Sequence, residues 1–351
     1  DLYIRGGGFD QTLLLLDGMK MDDSQTGHHT LNMLIPIELI ERVEIIKGPA
    51  ARIFGQNAFN GAINIVTKSA YKTRKGEFSA FLNNISGGSF GNFKYSVRGN
   101  ISKDNYKGLI NYSREKSNGY RYNTDYKTDN LFLKSSLSKN NPNTIVLATL
   151  SNRKFGANGF YASPDATDQY EETQTSLIGI YSRYSSGNLI IKPKIYWRRN
   201  QDEYIYVRSD PSIYRNLHKT NKISAEVNFN YISSIGNTGF GIDFSNVSIS
   251  SNNLGNHKRS ITSLYVNHIF SLINEKLTLS PGISFSYFSD LSSNSFPGID
   301  LGYNVSEKIK LYGNFGKTFR VPTYTDLYYS DRTTIGNSEL EPESAVSVSY
   351  T

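Results

Sequence analysis

From about residue 76 to residue 351, apolar and polar residues alternate with a period of two. The cleanest stretch interleaves Ile223, Ala225, Val227, Phe229 and Tyr231 with Ser224, Glu226, Asn228 and Asn230. Leu189-Ile191-Pro193-Ile195-Trp197, Ile283-Phe285-Tyr287 and Ile309-Leu311-Gly313-Phe315 repeat the pattern. In a strand, successive side chains point to opposite faces, so each of these segments has one greasy and one wet face. A soluble β-sandwich would satisfy the alternation alone. Two features argue against it. The segments are long, where sandwich strands are usually ~5–6 residues. Their connections also alternate in length.

Short turns are expected at 138–143, 185–188, 233–237, 273–276 and 305–308. Longer polar loops are expected near 115–126, 153–171, 201–219, 251–258, 289–296 and 318–342, with one short hairpin on their side at 86–92. Short turns at one end and long loops at the other are the mark of an outer-membrane β-barrel. A Lys or Arg on the lipid face of such a barrel costs ~2–4 kcal/mol at the midplane. Lys192, Lys194 and Arg198 are therefore expected to face the lumen, and Ile191, Ile195 and Trp197 the lipid.

The first seventy residues follow no such rule. "TLLLLDG" (12–18) reads as a strand ended by an Asp-Gly turn. "IPIELIERVEIIKGP" (35–49) reads as a short helical turn over 37–42, then a strand through "VEII". A second short helix is expected at "AARIF" and a strand at "AINIVTK". Gly48, Gly55, Gly61, Asn57 and Asn60 permit tight turns between these brief elements. This is a small α/β unit joined without a linker to a long run of strands.

Composition narrows the functional classes. The 351 residues include no Cys, which removes disulfide frameworks and thiolate metal sites. Tyr (25) and Phe (19) are abundant, as suits membrane interfaces and binding loops. The net charge of +7 is scattered among acids, so a nucleic-acid partner is not expected. No run approaches the ~18 apolar residues of a membrane helix. No HExxH, GxSxG or phosphate-binding loop occurs, and Asp22-Asp23 lack the further oxygens of a calcium site. No cofactor, resident metal or catalytic group is expected.

About fourteen strands follow residue 76 by alternation and turns. At ~6.3 Å of circumference each, fourteen would close around ~18 Å of free bore. A ~70-residue globule is ~28 Å across and does not fit. Twenty-two strands leave ~34 Å, and it fits. The opening at "DLYIRGGG" and the stop at "SAVSVSYT" both fall within a pattern, as expected of a piece cut at both ends.

"IRGGG" (4–8), "LLLLDGMKM" (13–21), "IPIELIERVEIIKGPAARIFGQNAFNGAINIVTK" (35–68) and "FGKTFRVPTYTDLYY…IGNSELEPE" (315–343) resemble the TonB-dependent outer-membrane receptors, in their vitamin B12 and iron-siderophore branches. The resemblance implies an all-β transmembrane antiparallel β-barrel, here about 14 of 22 strands, with an α/β plug in its lumen. The plug is expected at 1–72 and the barrel at 73–351. The implied function is active uptake of a scarce metal chelate across the outer membrane of a Gram-negative bacterium. Cobalamin is favoured by "FRVPTYTDLYY", with iron-siderophore or haem as the alternative. The resemblance further implies that outer-membrane lipid surrounds the barrel and that a TonB energy-coupling complex supplies the pull, through an N-terminal segment expected to be missing here.

The resemblance also nominates residues. Plug arginines paired with inward barrel glutamates hold such receptors shut, which singles out Arg5, Arg42 and Glu343. The loop "DDSQTGHHT" (22–30) is expected at the plug apex, where His28 and His29 meet ligand. Tyr120, Tyr122, Tyr161 and Tyr328 are nominated as outer-loop ligand contacts. His218 and His257, with Phe160, Tyr204, Tyr206 and Tyr329, fall on the same side. A passive porin or a barrel enzyme, such as a phospholipase or protease, is the rival class. The first would lack the plug motif, and the second would need an inward Ser/His or acid pair.

Overall fold

The computed structural model describes residues 3–4, 6–8, 10–28, 35–48, 51–70, 78–138, 143–161 and 163–350. The small N-terminal unit holds β1 (Thr12–Leu16), β2 (Met19–Lys20), β3 (Ile40–Lys47), α1 (Ala51–Phe54) and β4 (Gly61–Thr67). They form a four-stranded sheet in the order β2-β1-β4-β3, with β1 parallel to β4 and the other pairs antiparallel. The apolar run at 12–16 is buried on both faces, which explains its lack of alternation. Leu13 and Leu15 pack with Ala58, Ala62 and Phe54, while Leu14 and Leu16 face the large sheet. Asp17 and Gly18 take φ of 46° and 77°, the left-handed pair that a tight hairpin demands. The expected helical turn at 37–42 is only a 3-10 turn at Ile37–Leu39, with strand from Ile40. Four β-branched residues within 40–46 favour the strand.

The rest is one antiparallel meander of fourteen strands. In chain order these are β5 (Phe78–Gly87), β6 (Phe93–Lys103), β7 (Tyr106–Ser117), β8 (Tyr126–Ser138), β9 (Asn143–Gly156), β10 (Tyr170–Ser186) and β11 (Leu189–Ile205). Then come β12 (Arg215–Ser233), β13 (Gly236–Ser251), β14 (Gly255–Leu272), β15 (Leu277–Phe288), β16 (Asn294–Ser306), β17 (Ile309–Arg320) and β18 (Glu343–Tyr350). Each strand pairs with its sequence neighbours, and β5 and β18 do not pair with each other among the described residues. The fourteen strands do not seal a cylinder, as the bore calculation requires.

One end of the sheet carries the short turns, the other the long loops, of which 157–169 and 321–342 are the longest. The loops expected near 251–258 and 289–296 shrink to 252–254 and 289–293. There the strands continue beyond their apolar stretch with polar outward residues such as Asn246 and Ser248, which in sequence resemble loop. The lumen assignments hold: Arg198 is buried against the small domain, while Ile195, Ile223 and Phe244 are exposed on the outer face. Phe229 and Phe240, opposite each other on that face, stack at 4.8 Å.

The small domain lies on the concave face. Leu14, Leu16, Met19, Met21 and Leu39 pack into one cluster with Leu109, Phe132, Leu147, Leu177 and Tyr196, inward residues of β7 to β11. Burying each such side chain contributes about 1.5–3 kcal/mol, which makes this contact a core and not a loose docking.

Candidate functional site

Around that apolar footprint runs a set of ion pairs. The small domain supplies mostly acids. Asp17 meets Lys134 at 2.9 Å, Asp23 meets Arg198 at 2.7 Å, Asp10 meets Arg320 at 2.5 Å, and Glu38 meets Lys94 at 3.7 Å. Asp22 is clamped by Lys222. Lys20–Asp243 and Arg52–Asp300 run the other way. The expected plug-arginine to barrel-glutamate pairing is thus largely reversed. A short aspartate keeps its charge at the small domain's surface, and a long Lys or Arg stem reaches it from the wall. Burial pushes the Asp22 carboxyl up, but Lys222 beside it overrides burial and leaves it below the usual carboxylate range.

The nominated charges find other partners. Arg42 pairs with Glu44 on its own strand at 2.7 Å. Glu343 pairs with Arg320 of the neighbouring strand at 2.8 Å and accepts a hydrogen bond from Gln11 at 3.3 Å. Arg5 and His29 lie outside the described residues.

The apex loop, Asp22 to His28, sits at the long-loop end. Gln25 donates to Asp202 at 2.8 Å, and Thr220 donates to Asp23 at 3.2 Å. His28 ends this segment and is exposed. Above it folds the loop after β17. Its short helix α2 (Tyr324–Tyr328) opens with a full capping box, Thr323 and Asp326. The Tyr324 N–H donates to the Ser24 carbonyl at 2.7 Å, and the Thr325 N–H to the Gln25 carbonyl at 3.1 Å. Tyr324 is buried beside Ile249, Leu254 and Leu327, with Arg259 over its ring at 5.3 Å. Tyr328 stacks on His257 at 3.8 Å.

The other nominated tyrosines occupy the rim. Tyr161 hydrogen-bonds Glu171 and joins a chain of edge-on rings, Phe160, Tyr161, Tyr204 and Tyr214, with centroids 4.7, 5.5 and 6.4 Å apart. Tyr214 reaches the Tyr329 hydroxyl at 3.2 Å. Tyr120 and Tyr122 are exposed on the loop at 118–125, away from α2 in the strand order. Tyr122 donates to Asp168 at 2.7 Å, which with Ser209 keeps that carboxyl low. Arg208 forks onto Asp125 at 2.6 and 3.0 Å and keeps it low in the same way. Three loops are thereby braced into one rim. His218 is buried, with Nδ1 2.8 Å from Ser251 Oγ.

Beneath the rim, a cleft of about 440 Å³ separates residues 35–37 from the inner wall of β6 to β9. Lys94, Tyr126, Asn130, Arg153 and Phe155 line it. None was nominated from sequence. The available signal was parity: all of them alternate with outward residues near the long-loop ends of their strands. Among the described residues, no group of three His, Asp or Glu stands ready to hold a metal ion.

A family model of the TonB-dependent receptor-like β-barrel matches residues 62–350, and one of the TonB-dependent receptor plug domain matches 1–62. The chain belongs to the TonB-dependent receptors. It is 25% identical to the vitamin B12 transporter BtuB of Photobacterium profundum over 98% of this chain and 56% of that protein. The receptor chain thus spans about half the length of that relative. It is 38% identical to an iron-regulated outer membrane virulence protein of Vibrio cholerae over 74 residues, 19% of this chain and 11% of that one. The siderophore receptor PirA of Pseudomonas aeruginosa superposes with a TM-score of 0.79 at 17% identity, covering 99% of this chain and 64% of that one. This last likeness is one of fold: a plug domain set against an antiparallel barrel sheet.

Proposed function

We propose that this receptor drives uptake of a scarce metal chelate across the outer membrane of a Gram-negative bacterium, with cobalamin as the leading cargo. The observation that carries this reading is the plug pressed on the concave wall with an outer loop seated on its apex. A passive porin needs an open bore, and an enzyme needs a reactive pair. A gated carrier needs a stopper that ligand meets from outside and a partner pulls from within. Similarity to a vitamin B12 transporter over 98% of this chain and 56% of that protein supports cobalamin. The short match to the Vibrio cholerae protein supports an iron chelate or haem as the second reading.

In this reading the plug ends near residue 72 and the barrel follows. His28, His29, Tyr120, Tyr122, Tyr161 and Tyr328 supply ligand contacts, joined by Lys94, Tyr126 and Arg153 in the cleft. A TonB energy-coupling complex provides the pull. The test expresses the full-length receptor in a host lacking its own cobalamin, haem and siderophore receptors. Labelled cyanocobalamin should accumulate and stop accumulating when a protonophore collapses the inner-membrane gradient. Accumulation that survives the protonophore would indicate a porin. Rescue by haem or a ferric siderophore alone would move the cargo to the second reading.

A further inference from the structure

On the outer face, near the long-loop end, the strands carry charged side chains beyond their apolar rows. Four of the cations there are neutralised within the protein. Asp129 takes Arg114 at 2.6 Å and Lys127 at 3.6 Å, Glu172 takes Lys154 at 2.8 Å, and Glu203 takes Arg215 at 2.6 Å. Five cations lack such a partner: Lys116 on β7 and Lys317 on β17 stand apart, while Arg199 on β11, Lys219 on β12 and Lys258 on β14 lie on nearby strands. Among the described residues, none of the five has an ion-pair partner.

The direction of the last three follows from the register. Arg198, His218, Thr220 and Arg259 are buried on the concave side, so alternation turns residues 199, 219 and 258 outward. Arg199 lies opposite Asn221, Asn221 opposite Ser248, and Ser248 opposite Lys258. Lys219 lies opposite Gln201 on one side and Ser250 on the other. Only amides and hydroxyls stand between the cations. Lys219 and Lys258 are two strands apart and two residues out of line, ~12 Å, a span two phosphates of one lipid would bridge. Just below, on the same face, come Trp197 and then the exposed Ile195, Ile223, Phe244 and Leu264.

We propose that this patch binds the phosphate groups of an outer-leaflet lipid, with the acyl chains lying along the apolar rows beneath. Cations without a protein counter-charge, held at the upper edge of a lipid-facing surface, complement an anion whose own anchor is hydrocarbon. The Arg199 guanidinium offers a fork to phosphate oxygens, and the two lysines offer point charges. The inference rests on the outer-membrane reading above, because a free phosphate has no use for the apolar rows.

The test uses the full-length receptor extracted from outer membranes in detergent and native mass spectrometry. The probes are bisphosphorylated lipid A, the same lipid without its phosphates, and inorganic phosphate. The triple variant Arg199→Gln, Lys219→Gln, Lys258→Gln should lose about a hundredfold in retention of the phosphorylated lipid. The control pair Lys127→Gln, Lys154→Gln should retain it. A charge-keeping set, Arg199→Lys with Lys219→Arg and Lys258→Arg, should also retain it, and heat-modifiable gel migration checks that every variant is folded. Equal retention by the triple variant overturns the proposal, as does equal binding of the dephosphorylated lipid. Displacement by millimolar inorganic phosphate assigns the site to a free anion and overturns it too. A receptor that never fractionates with outer membranes defeats the underlying reading. One that inserts but carries no phosphorylated lipid defeats this inference alone.

Discussion

Removing the Asp23 carboxylate should release the plug apex. Asp23 and Arg198 are 2.7 Å apart, with side-chain exposures of 0% and 2%. The same carboxylate accepts from Thr220 at 3.2 Å and from the Gln25 N–H at 2.9 Å. Asp23→Ala removes the carboxylate paired with a guanidinium held in a closed interface. Breaking a buried pair from one side costs about 3–5 kcal/mol. At 1.36 kcal/mol per power of ten, the docked apex loses about two to three and a half powers of ten against its undocked state. Hydrogen exchange at residues 22–28 of the full-length receptor reads this directly, and faster entry of large antibiotics reads it in cells. The double variant Asp23→Leu, Arg198→Met should recover most of the protection, because an apolar pair leaves no orphan charge. Glu44→Ala, which breaks the exposed Arg42–Glu44 pair, should change protection by no more than about 1 kcal/mol. If Asp23→Ala behaves like Glu44→Ala, or if the double variant is worse than the single, the buried-pair argument is wrong.

Three further outcomes are expected. Gly61→Ala should destabilise the β3–β4 pairing by roughly 1–3 kcal/mol, since a Cβ there would sit 2.2 Å from the Ile46 carbonyl oxygen at a φ of 155°; a lowered melting temperature of the plug checks it. Tyr324→Ala should cost about 3–5 kcal/mol of loop docking and expose residues 321–342 to limited proteolysis, while Tyr120→Ala on the exposed rim should leave cleavage unchanged. The backbone N–H groups of Thr333 and Thr334 hold the Asp331 carboxyl at about 2, down from 3.8. A depressed carboxyl stabilises the folded turn above its unfolded value and loses that support as pH falls through the folded one. Exchange protection at Thr333 and Thr334 should therefore hold above about pH 4 and fade towards pH 2, and Asp331→Ala should abolish the pH dependence.

Alternation made most of the barrel legible. In β12 each apolar residue from Ile223 to Tyr231 faces out, and Ser224 and Glu226 face in, because a strand offers only two directions. The alternation fails at particular places, and those mark the plug. "GLINY" (108–112), "NLFLK" (130–134), "VLATL" (146–150), "TSLIG" (175–179) and "KIYW" (194–197) each put an apolar residue on the inward face beside outward ones. Their inward members, Leu109, Phe132, Leu147, Leu177 and Tyr196, are the wall of the plug contact. In sequence the breaks read as stronger strands, since nothing local distinguishes a buried lumen residue from a lipid-facing one.

The charge pairs were not legible, and neither was the seat of the outer loop. In the sequence Asp22 and Asp23 stand in a polar loop, and Lys134, Arg198 and Lys222 at inward strand positions, with nothing local to pair them. They meet across 117, 175 and 200 positions of chain. The strands, their facing and the end at which long loops gather can be read along the chain, because they follow from a period of two and from turn residues acting within a few positions. Which acid meets which base, which lumen residues stay dry and which loop closes on the apex emerge only on folding. Those outcomes depend on how the plug sheet lies on the curved wall, and no local spacing encodes that distance.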